Sequence, residues 1–219
     1  MGIADENSYL QPITDELEKK WPDNRTVNIV CHGHSVPSGY FATPFVDMFN
    51  SYPHLLHRIL KERFPFAVIN VIVTAIGGEN SISGAERFEK DVLSHNPGLI
   101  TIDYALNDGN DGLAAARAAH LKMISAAIER NIKLLLLTPS WERSYLENSE
   151  RWNTVSDHRE QIISLAEENN IGLVDSYGLF EEYIKNGGHL NDLLSHINHP
   201  NRKGHEMIAL ALARWFPAR

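Results

Sequence analysis

Residues 26–35 read TVNIVCHGHS. Thr26–Cys31 is apolar or β-branched apart from Asn28, and His32-Gly33-His34-Ser35 then turns abruptly polar. An apolar run with little polar alternation is the pattern of a strand covered on both faces, and a glycine in a polar turn is the pattern of its end. Four more segments repeat the theme: Ala67–Ala75 (AVINVIVTA), Leu99–Tyr104 (LITIDY), Ile132–Thr138 (IKLLLLT) and Ile171–Asp175 (IGLVD). Between them Phe45–Phe64, Ser83–His95, Leu113–Asn131 and Arg151–Asn170 carry helical spacing. Leu113–Asn131 is the clearest, apolar at 121, 124 and 128 on an Ala-rich body. A closing helix is predicted over about Asn201–Phe216, apolar at 207, 208, 211, 212 and 215. Strands alternating with helices of this length imply right-handed crossovers and a largely parallel sheet between two helical layers. The expectation is one α/β/α domain over residues 26–219. Leu10, Ile13, Leu17 and Trp21 predict an extra helix, within residues 1–25, packed on its outside.

Composition agrees with this and removes several alternatives. At 219 residues the chain suits one domain with generous loops, given a prior of about 150 residues per domain. Hydrophobic residues at 43% and charged residues at 22% are ordinary globular usage, which argues against disorder. Asp and Glu (28) outnumber Lys and Arg (20), for a net charge of −8. An acidic chain without a basic run is poorly suited to nucleic acid or anionic lipid, so neither is expected as a partner. Cys31 is the only cysteine, which excludes an internal disulfide and a thiolate metal cluster. The first residues lack a basic n-region and an apolar core, and Glu6 stands where a myristoylation signal needs a hydroxyl. With no apolar stretch long enough to span a bilayer, the expectation is a soluble, cytoplasmic protein.

In an open parallel sheet, ligands bind beyond the carboxyl ends of the strands. His32-Gly33-His34-Ser35 follows the first strand, Ile76-Gly77-Gly78-Glu79-Asn80 the second, and Ala105-Leu106-Asn107-Asp108 the third. Ser195-His196-Ile197-Asn198-His199-Pro200-Asn201 precedes the closing helix and can reach the same edge. Singly, each has a bland explanation: a helix cap at Ser35, a turn at Asn107-Asp108, loop punctuation at Gly77-Gly78, a capped helix start at Asn201.

Taken in order, these four clusters resemble the sequence blocks of the SGNH, or GDSL-like, hydrolases. Gly33-His34-Ser35 matches that family's Gly-Asp-Ser block, Gly78-Glu79-Asn80 its second block and Ala105-Leu106-Asn107-Asp108 its Gly-x-Asn-Asp block. His196-Ile197-Asn198-His199-Pro200-Asn201, followed by Gly204-His205, matches the last. The resemblance spans roughly residues 26–216 and implies a flavodoxin-like five-stranded sheet and a serine-dependent esterase without a cofactor. It implies Ser35 as nucleophile and His199 as the base that takes and returns its proton. It also implies an oxyanion hole from the Ser35 and Gly78 amides and the Asn107 side chain. Three positions depart from the family pattern: His34 replaces the Asp before the serine, Ala105 replaces a glycine, and His196 stands where the family keeps the carboxylate that orients the histidine. Asp192 is the nearest preceding carboxylate for that role; Ser195, His196 or a backbone carbonyl are the alternatives. His34, His196, Asp108, Tyr40 and Trp141 are expected beside or lining the pocket. No HExxH or similar helical pair is present, and no metal is expected. A small-molecule ester, with a short acyl or acetyl group, is the expected substrate. The competing readings are a non-catalytic binding module on the same fold and a metal-dependent phosphoesterase.

Overall fold

The first strand runs two residues past the apolar stretch, and that extension shapes the rest. In the computed structural model, which describes residues 2–147 and 149–217, β1 is Thr26–Gly33. Its last two residues pair with Ile102 and Asp103 of the third strand, so the polar turn begins beside the end of its neighbour. The other strands are β2 (Val68–Val73), β3 (Leu99–Asp103), β4 (Lys133–Leu137) and β5 (Gly172–Val174), all parallel in the order β2-β1-β3-β4-β5. The chain leaves β1 towards β2 and returns across it to β3, so the direction of winding reverses beside β1. A crevice opens at such a reversal, beyond the strands' carboxyl ends.

The described helices are α1 (Gln11–Leu17), α2 (Ser35–Ser38), α3 (Tyr52–Arg63), α4 (Ser81–Asp91), α5 (Leu113–Ile128), α6 (Ser144–Glu147), α7 (Glu150–Asn169), α8 (Ser176–Lys185) and α9 (Arg202–Arg214). Successive strand residues face opposite layers. Ile29, Cys31, Leu99, Leu135 and Leu137 meet α1, α3, α8 and α9 on one side. Val30, Ile100, Ile102, Leu134 and Leu136 meet α4, α5 and α7 on the other. This two-sided cover explains why the strands are almost wholly apolar in sequence. Leu10, Ile13 and Leu17 of α1 are buried in the first of these cores, while Trp21 lies beyond the helix and is 85% exposed.

Three elements differ from the sequence expectation. The helix predicted over 45–64 begins only at Tyr52, because Pro53, in its first turn, disfavours helical geometry before it and lacks an N–H to donate to an earlier turn. The preceding loop instead forms a tight turn, with Phe41 N donating to Phe45 O and Phe45 N to Ala42 O. The second predicted helix starts two residues early, at Ser81, where the Asn80 side chain accepts from Ser83 N. The strand–helix alternation did not include α8, which Asp175 caps by accepting from Gly178 N at 3.1 Å and which buries Tyr177 and Phe180. No helix among the described residues is long and apolar enough to cross a membrane.

Candidate active site

Ser35 opens α2, directly after β1. Its neighbour His34 is the N-cap, with its Nδ1 accepting from Val36 N at 3.2 Å. The turn packs tightly on β3: a Cβ at Gly33 would lie 2.4 Å from the Asp103 carbonyl oxygen, so only glycine fits. His34 N in turn donates to that same carbonyl at 3.2 Å.

His199 arrives from the opposite end of the sequence. Its loop is folded back on itself by a bridge between Leu194 and Pro200, and Ser195 N donates to His199 O at 2.9 Å. Asn201 caps α9 through Lys203 N and Gly204 N, while its amide donates to Asp192 O at 2.9 Å. So fixed, the His199 ring sits with Nε2 3.0 Å from Ser35 Oγ. Its other nitrogen, Nδ1, lies 2.8 Å from the main-chain oxygen of Phe41. A carbonyl can only accept, so Nδ1 carries the ring hydrogen and Nε2 presents its lone pair to the serine. That is the tautomer a general base needs.

The carbonyl stands where the sequence offered Asp192. The structure does not bring Asp192 to His199: its carboxylate is exposed and accepts from His189 N and Tyr183 Oη, both at 3.0 Å. Those two bonds hold its pKa below the usual carboxylate value. His196 is likewise exposed. Burial is the largest influence on His199 and lowers its pKa; the Phe41 bond opposes this, and the nearby His34 and His196 reinforce it.

The donors converge from two further loops. Gly78 has φ +80°, a left-handed conformation that side-chain-bearing residues rarely adopt, and a Cβ there would meet only open space. Glu79 is braced by a bidentate pair with Arg87 and accepts from Tyr104 Oη at 2.6 Å. His32, held near a pKa of 4 mainly by burial, contacts the same phenol. Asn107 Nδ2 donates to Glu79 O at 3.0 Å, which uses one of its two amide hydrogens and leaves the other for the cleft. Asp108 does not line the cleft: it is fully buried and accepts from Ser81 N at 2.7 Å, tying the β3 loop to the start of α4. No acceptor among the described residues takes the Ser35 or Gly78 amide.

Ser35, Gly77, Gly78, Asn107 and His199 line one cleft of about 290 Å³, together with Tyr40, Thr43 and Asn198. The Tyr40 ring lies 6.0 Å from the His199 ring. Trp141, expected at the pocket, is instead 4% exposed and packs among Tyr145, Trp152 and Tyr177, with centroids 4.2–5.4 Å away. Large aromatics in a long loop anchor it, and here anchoring wins. The sequence reading did not single out Thr43 or Asn198, and it offered a backbone carbonyl behind His199 as an alternative without naming Phe41. Asn198 adjoins His199 and was within reach; a main-chain oxygen carries no residue signature. Among the described residues no group of three or more His, Cys, Asp or Glu is arranged to hold a metal ion.

The fold has counterparts among solved structures. An acetyl-xylooligosaccharide esterase, Axe2 of Geobacillus stearothermophilus, superposes with a TM-score of 0.76 at 21% identity, over 88% of this chain and 97% of its own. A protein assigned to the G-D-S-L lipolytic family, from Desulfitobacterium hafniense DCB-2, gives 0.70 at 23% identity, over 86% and 99%. A two-domain esterase active on acetylated mannans gives 0.75 at 20% identity, covering 98% of this chain and 54% of its own. No match is found among curated proteins. Residues 31–207, which hold every block of the cleft, match the GDSL-like lipase/acylhydrolase family, and the chain belongs to that family of serine ester hydrolases.

Proposed function

We propose that the protein hydrolyses esters of short acyl groups, acetyl esters foremost, through an acyl-enzyme on Ser35. The observation that carries this is the 3.0 Å contact between Ser35 Oγ and a His199 ring whose tautomer the Phe41 carbonyl fixes. Ser35 Oγ attacks the ester carbonyl carbon as His199 Nε2 takes its proton. The resulting oxyanion is met by the Ser35 and Gly78 amides and the free Asn107 N–H. His199 then protonates the leaving alcohol, and water releases the acyl group by the same steps in reverse roles. Acyl length is read from the cleft's modest volume, about 290 Å³. The sugar acetates named for two structural neighbours make O-acetylated oligosaccharides the substrate class to try first.

Turnover of aryl esters of increasing acyl length, with acetate release from acetylated xylooligosaccharides, tests the reading. Acetyl esters are expected to be fastest and Ser35→Ala to abolish both turnover and covalent labelling by a serine-directed phosphonate. A folded protein that neither labels nor hydrolyses would be a non-catalytic binding module. A preference for long acyl chains would overturn the substrate class alone.

A further inference from the structure

A histidine is an unusual N-cap. Asn, Asp and Ser are preferred because a side-chain oxygen accepts from the first free amides of the helix. His34 performs this task with Nδ1, which accepts from Val36 N at 3.2 Å and therefore carries a lone pair and no hydrogen. The ring hydrogen must then sit on Nε2. That nitrogen is buried, has no hydrogen-bond partner of its own, and faces Asp103 Oδ1 at 3.4 Å. Asp103 ends β3, is 4% exposed, and also holds the His34 main chain through its carbonyl. Tyr52 of α3 is fully buried near the same carboxylate; burial first, and then that charge, lift its phenol pKa well above the usual value.

The geometry on the serine side gives this pair a consequence. Ser35 Oγ lies 3.5 Å from His34 Nδ1 and 3.0 Å from His199 Nε2, so the nucleophile stands between two imidazole lone pairs. It has one proton to give, and His199 is the nearer acceptor. If His34 took the other tautomer, its Nδ1–H would face the Val36 N–H and would donate to the serine oxygen. The first contact breaks the cap, and the second occupies an oxygen lone pair needed for attack.

We infer that Asp103 fixes the His34 tautomer and so keeps Ser35 both in place and free to attack: His34 and Asp103 are positioning residues, a carboxylate–imidazole pair set behind the nucleophile. It rests on the assignment of Ser35 as nucleophile and adds a role for two residues which that assignment leaves without one. The base leans on an uncharged carbonyl. The carboxylate–imidazole contact next to the serine, between Asp103 and His34, acts on the attacking group.

The test is a double-mutant cycle of Asp103→Asn and His34→Asn, read as kcat and KM on an aryl acetate. Asp103→Asn is expected to lower kcat roughly 10²-fold, the scale of a misplacement of about 1 Å at a reacting group, with KM little changed. Independent effects multiply to within about twofold, whereas a coupled pair leaves the double variant no slower than the slower single one. Multiplying effects, or wild-type kcat in Asp103→Asn, would overturn the inference. Ring ¹⁵N shifts of His34 in the unmutated protein give a second reading that does not depend on a buried variant folding. A pyridine-type Nδ1 and pyrrole-type Nε2 are expected; the reverse would overturn the inference. Full activity in Ser35→Ala would instead refute the assignment of the nucleophile, and the tautomer would still be read separately.

Discussion

Replacing Asn107 by alanine separates two jobs done by a single side chain. One amide hydrogen is committed to Glu79 O at 3.0 Å, bracing the loop that carries Gly78. The other is left for the cleft, where the proposed mechanism sets it against the oxyanion. Losing the brace removes one partly buried hydrogen bond, about 1 kcal/mol net, which in a chain of this size lowers Tm by about 2–4 °C. Losing the oxyanion donor removes an interaction made most strongly in the transition state, so kcat is expected to fall by about 10²–10³ with KM little changed. The first is about 1 kcal/mol of stability and the second about 2.7–4 kcal/mol of activation barrier, each read by its own measurement, so they can be told apart in one preparation. Steady-state hydrolysis of an aryl acetate gives kcat and KM, and a thermal melt gives the stability change. A variant within about threefold of wild-type kcat would refute the donor role, since even a weak oxyanion donor exceeds that. A raised KM at unchanged kcat would mean that Asn107 holds the substrate and not the transition state.

Other predictions follow from the same geometry. Burial disfavours the His199 imidazolium and lowers its pKa, so the neutral base persists below pH 6.5; the acid limb of kcat/KM should have its midpoint below that value, and a midpoint above it would be incompatible with the buried ring. Asp192→Asn should leave kcat within about twofold, in contrast to the roughly 10⁴ lost when a triad carboxylate is corrupted, because its carboxylate engages Tyr183 and His189. Gly78→Ala forces a side chain into φ +80° and should cost about 1–2 kcal/mol in denaturant unfolding, with a larger proportional loss of kcat as the amide swings off the oxyanion.

The parallel sheet and its order of polar loops were legible because burial on both faces writes itself as unbroken Val, Ile and Leu. Leu99–Tyr104 and Ile132–Thr138 were placed to within a residue at each end. The loop after β1 was not legible: Phe45, Val46, Met48 and Phe49 suggest a helix face, yet all four are exposed, and Pro53 breaks the continuity with the helix that follows. Trp141 had two physically sensible destinations, and only the positions of Tyr145, Trp152 and Tyr177 decide between them. At the cleft, the sequence named Ser35, Gly78, Asn107 and His199, and the structure brings these four together. The group behind His199 stayed open among Asp192, Ser195, His196 and a backbone carbonyl, because every residue has a carbonyl and only the turn at 41–45 aims this one.

That turn ties two properties together. Thr43, inside the turn, walls the cleft, while Phe41, at its start, sets the angle of the His199 ring, the proposed base. Substitution at position 41 does not delete an oxygen belonging to the main chain, so the steering contact survives most point mutations. It does not survive a change of loop shape. Grafting a longer or shorter segment between Tyr40 and Val46 to admit a bulkier acyl group would therefore detune proton transfer at the same stroke, and selectivity in this enzyme cannot be re-engineered there independently of rate.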